Sequence, residues 1–99
     1  MHREVYRYTF HRQVPAAEVE AALVLAIFAC ESLHGEVSVQ MEVAHFLDLD
    51  KRACVIDAGS GVDRDFNKLF AGYMRREFGA GAFQVERVSR PGEVKASQK

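Results

Sequence analysis

Cysteine is scarce in this chain, and so is any excess of charge of one sign. Only two cysteines occur, Cys30 and Cys54, both at apolar positions. They predict buried thiols in a reducing cytoplasm rather than a disulfide framework. Thirteen Lys and Arg against fourteen Asp and Glu leave a net charge of −1. That balance argues against a nucleic-acid module, which normally carries a basic excess. The longest apolar run, residues 21–30, is far shorter than the ~20 residues a membrane helix needs. The first residues, Met1, His2, Arg3 and Glu4, lead into a charged alternating pattern, so no secretory leader is expected. No serine or cysteine stands beside a base and an orienting group, and no close carboxylate pair shares one face. The sequence therefore predicts no catalytic set, no metal and no cofactor.

What is present is one long periodic segment, residues 16–34. Pro15 is pre-set for a first helical turn, where its missing N–H is not needed. Glu18 and Glu20 complement the positive end of the helix dipole, and Gly35 is the natural stop. At 3.6 residues per turn, Val19, Ala22, Leu23, Ala26, Ile27, Cys30 and Leu33 make one apolar stripe, which predicts the core face. The opposite side carries Ala17, Ala21, Val24, Leu25 and Phe28, where a surface helix would carry Lys and Glu. A helix apolar nearly all round is usually covered on both sides. The expected cover is another subunit, with the C-terminal tail as the alternative.

Around this helix the chain alternates. Tyr6, Tyr8 and Phe10 form the bulky side of a first strand whose other side is Val5, Arg7, Thr9 and His11. Period-2 alternation over residues 37–48 predicts a long second strand, turning at 48–51 into a third strand over 52–58. Pairing 47 with 52 sets His45 opposite Cys54, Val43 opposite Ile56 and Glu42 opposite Asp57. Ser60, with Asp63 three residues on, predicts the cap of a second helix. Val62, Phe66, Leu69, Phe70 and Tyr73 are its inner stripe, Asp65, Lys68, Arg75 and Arg76 lie largely outside, and Gly79 is its end. A last strand follows over 82–88. Residues 89–99 read as a disordered polar tail behind a single domain over 1–88. The order is that of a split βαβ, ferredoxin-like α+β sandwich. Its four-stranded antiparallel sheet has the first and third strands central and two helices on one face.

The segment Val55, Ile56, Asp57, Ala58, Gly59, Ser60, Gly61 is a strand ending in a glycine turn that opens a helix. Such turns hold phosphate or nucleotide through backbone N–H groups. Over these seven residues it resembles part of the glycine-rich first motif of S-adenosylmethionine-dependent methyltransferases, with Val62 where a further glycine would stand. Asp57, Asp63 and Asp65 would repel a phosphate there, so a plain helix cap is the preferred reading. Cys30 with His34, and His45 with Cys54, make a zinc set on paper. A strand over 37–48 separates His34 from His45 by about 26 Å at ~3.3 Å per residue, which keeps the four apart. The strand aromatics could stack bases, but the neighbouring strand offers no aromatic or basic support, so they read as core.

Two readings result. The first is a non-catalytic homo-oligomeric assembly or interaction module, a cytoplasmic homodimer with no nucleic-acid or membrane partner. Its interface residues would be Val24, Leu25 and Phe28 on the helix, or Val39 and Met41 on the long edge strand. The second is a small-ligand (phosphate or nucleotide) binding domain or enzyme using Gly59, Ser60 and Gly61, with His34 nearby.

Overall fold

The computed structural model describes residues 4–88. The expected tail over 89–99 lies outside the described residues. The elements are β1 (Val5–Phe10), α1 (Ala16–His34), α2 (Glu36–Glu42), β2 (His45–Asp48), β3 (Ala53–Asp57), α3 (Gly61–Phe78), a 3-10 turn (Ala80–Ala82) and β4 (Phe83–Val88). The four strands form one antiparallel sheet in the order β2-β3-β1-β4, so β1 and β3 are central and β2 and β4 are edges. The fold is α+β, but with three α-helices among the described residues where the sequence predicts two. Among the described residues, no helix is long and apolar enough to cross a membrane.

Strand alternation positions the core. Tyr8 and Phe10 of β1, Cys54 and Ile56 of β3 and Phe83 of β4 are buried on the face covered by α1 and α3. The strand aromatics are thus core, as their alternation predicts. The Tyr8 ring meets Phe70 edge-on at 5.0 Å, and its hydroxyl donates to Asn67 Oδ1 at 2.5 Å. Burying that ring therefore leaves its polar end satisfied. Arg7, Thr9, Gln84 and Glu86 lie exposed on the opposite face.

The α1 helix has the predicted bounds, with Pro15 at its N-cap and Gly35 at its C-cap. Val19, Ala22, Leu23, Ala26 and Cys30 are buried, while Leu33, at the end of the predicted core stripe, is exposed. The α3 helix starts as the capping pattern predicts: Ser60 Oγ accepts from the Asp63 N–H at 3.1 Å. Its buried stripe is Val62, Asp63, Phe66, Phe70 and Met74. Leu69 and Tyr73 are only partly buried.

Two expectations are corrected. The long second strand over 37–48 is not there: residues 36–42 form α2, and only His45–Asp48 pair with β3. Gly35, at φ +92, closes α1 and lets the chain restart as a helix at once. Glu36, Gln40, Met41 and Glu42 are good helix formers. Helical winding then turns Val39 into the core at 3 % exposure and leaves Met41 outside at 80 %. The hairpin register is also shifted by two: Leu47 pairs with Cys54 and His45 with Ile56. Arg52 does not enter the strand, because it takes a positive φ of 50 and ends the turn. Its guanidinium donates to His11 O at 2.7 Å and to Val14 O, tying this turn to the loop before α1. The predicted Glu42–Asp57 opposition vanishes with the strand, and the Asp57 N–H donates to Ala44 O instead.

Candidate functional site

Two places collect the residues singled out in the sequence. The first is the glycine turn, where β3 hands over to α3. His34, the last residue of α1, reaches it: Nε2 lies 2.7 Å from Asp65 Oδ2. One turn earlier on α1, the Cys30 thiol points at Val62 O, 3.5 Å away. His34 therefore does meet the start of α3, although its partner is a carboxylate rather than the turn's N–H groups.

Some N–H groups of the turn have partners within it. Gly59 N–H donates to Asp57 Oδ1 at 3.1 Å, Asp63 N–H to Ser60 Oγ, and Arg64 N–H to Ser60 O at 2.9 Å. Of these, the Asp63 N–H is one of the helix-start donors with which an N-terminal site holds anions. The Asp63 side chain is buried at 1 % exposure beneath the turn, and Asp65 flanks it. Cys30, His34 and Asp65 are the makings of a nucleophile, a base and an orienting acid. Cys30, however, is wholly buried. Burial, and then the Asp65, Asp63 and Glu31 carboxylates, push its thiol pKa up, away from the reactive thiolate.

His45 and Cys54 do not face one another. His45 lies beside Ile56 and against the Phe66 ring at 5.5 Å, and burial lowers its pKa. The distance argument against a shared metal site falls with the strand it assumed. Among the described residues, no three His, Cys, Asp or Glu side chains gather as a metal-ligand set. At the other end of the sheet, Phe10, Val19, Leu47, Leu49 and Arg52 line a recess of about one water's size.

The second place is the outer side of the helical layer. Val24, Leu25 and Phe28 of α1 are 46, 54 and 59 % exposed. Leu33 at the end of α1 and Val37 and Met41 of α2 are exposed as well. The interface set read from the sequence is thereby split: Val24, Leu25, Phe28 and Met41 face outward, whereas Val39 is spent in the protein's own core. Sequence reading also missed a charge pattern. From Gln13 to Asp50 there are seven carboxylates and neither Lys nor Arg. Fourteen carboxylates in all leave seven elsewhere, alongside all thirteen Lys and Arg. A whole-chain charge of −1 hides this division, which a segment-by-segment count would have shown. The acidic segment is the one that carries the exposed apolar helix face.

Comparison with family models, curated proteins and solved structures finds no match to this chain.

Proposed function

We propose that this protein is a non-catalytic assembly module that works as a homodimer by burying the outer face of α1. The observation that carries the reading is the exposure of Val24, Leu25 and Phe28 together on one helix face. Fully burying such a side chain is worth about 1.5–3 kcal/mol, and with these already about half covered roughly half of that is left for a second polypeptide to gain. The reducing cytoplasm is the proposed setting, since Cys30 and Cys54 are both free thiols held in the core. We read the architecture as a ferredoxin-like sandwich enlarged by α2, on the support of its central β1 and β3 and edge β2 and β4.

The test is the mass in solution of the wild type and of Phe28→Glu, at tens of micromolar. The expected result is a wild-type dimer and a folded, monomeric variant. Two monomers of equal stability would overturn the reading.

A further inference from the structure

Which surface of a second copy covers α1 is decided by charge. Both long helices turn an outer side away from the sheet. That of α1 holds Val24, Leu25 and Phe28 with Glu18 and Glu20, and α1 contains no Lys or Arg. That of α3 holds exposed Arg64, Lys68 and Arg75 around Gly72, whose missing side chain leaves open space. Asp63 of α3 is buried and Asp65 is engaged by His34, so its outer face is cationic.

β1 and β3 run antiparallel, and so do α1 and α3, which follow them and pack on the same face; the His34–Asp65 and Cys30–Val62 contacts put the end of α1 level with the start of α3. Taken from the midpoint of those two contacts and continued along antiparallel axes, the register brings Glu31 level with Arg64 and Glu20 level with Arg75. The two pairs share one spacing, about 16 Å along a helix at ~1.5 Å per residue.

We propose that two copies stack their helical layers about a twofold axis running between α1 and α3 and parallel to them, so that α1 of each lies over α3 of the other. This rests on the assembly reading above and names the surface that completes it. Each copy then offers one acidic, apolar helix and one cationic helix, and the symmetry matches both at once. Glu31 comes level with the partner's Arg64 and Glu20 with the partner's Arg75. Phe28 comes level with the partner's Lys68, whose aliphatic stem covers apolar surface and whose ammonium suits an aromatic face. The other twofold, across the helices, lays α1 on α1 and sets Glu20 of each copy against the partner's Glu31. Like charges disfavour it. The layer measures about 28 by 20 Å from its helix lengths and widths, on the scale of the ~800 Å² per partner that a stable interface uses.

The experiment uses three full-length chains in sedimentation velocity: the wild type, an acidic-to-basic variant E20K/E31K and a basic-to-acidic variant R64E/R75E. Circular dichroism and melting curves check that each variant folds. The expected result is a wild-type dimer, each variant alone associating at least tenfold more weakly, and an equimolar mixture of the two recovering a heterodimer. The single substitution Lys68→Glu, at an exposed position, is expected to weaken the wild-type dimer without loss of fold. If R64E/R75E alone dimerises as tightly as the wild type, α3 is not the covering surface; the stacking is overturned while assembly through α1 survives. A mixture that stays monomeric beside a dimeric wild type also overturns the stacking. A monomeric wild type overturns both.

Discussion

Cys54 has no exposed surface, and burial pushes its thiol up to about 12 from an ordinary value of 9.0. Tyr8 is raised as well, first by burial and then by Cys54. The unfolded chain therefore ionises before the folded one. The stability Cys54 contributes is fully present below pH 9 and is lost as pH rises from there toward about 12, and that of Tyr8 is lost only from pH 10 upward. The loss for Cys54 is about 1.4 kcal/mol per pH unit inside that window. Urea unfolding at about pH 8 and about pH 10 is expected to show the fall, and Cys54→Ala to show a smaller one. His45 acts with the opposite sign. Its pKa is lowered by burial, so its contribution is present above its ordinary 6.5 and lost as pH falls below it. At the other end of β3, the Ser60 hydroxyl holds the Asp63 N–H. Ser60→Ala is expected to cost about 1 kcal/mol in urea denaturation, as for other helix caps.

The helix α2 shows how an element can mislead when read by pattern. Val37, Val39 and Met41 alternate, which is a strand signal, yet they belong to two turns of helix. Val39 is the only buried side chain among them, and Val37 and Met41 sit outside. A helical α2 predicts a split that a strand would not. Val39→Ala should cost about 2 kcal/mol, as a core truncation does, whereas Met41→Ala should be near neutral. Denaturant midpoints of the two variants check this. The joint before α2 is Gly35 at φ +92. Gly35→Ala places a side chain in a disfavoured backbone region and should cost about 1–2 kcal/mol by the same measurement.

The whole molecule has a layered build with an uneven division of charge between its two helical edges. If charge pairing between α1 and α3 holds the dimer, added salt must loosen it. Raising salt from about 0.05 M to about 0.5 M shortens the screening length from roughly 14 Å to roughly 4 Å. The dimer is then expected to weaken severalfold by sedimentation. An assembly held by Val24, Leu25 and Phe28 alone would instead tighten slightly, because salt strengthens apolar burial.

Local signals were legible wherever one residue type answers one backbone need. Pro15 and Gly35 marked α1, Ser60 and Asp63 marked the start of α3, and alternation over 5–10 put Tyr8 and Phe10 inward. The sequence by itself determined these elements, the α+β class and the unusual apolar outer side of α1. Only the tertiary structure decided that 36–42 is a helix, because a segment with both patterns goes where β3 offers it partners, and β3 pairs with only four residues of β2. The structure likewise decided the hairpin register, since Arg52 is claimed by the carbonyls of His11 and Val14, 41 and 38 residues away in the chain. It also joined His34 to Asp65 across two helices and buried Asp63, which sequence spacing reads as the capping partner of Ser60. Contacts between distant segments depend on how the helices settle on the sheet, and no local periodicity encodes that.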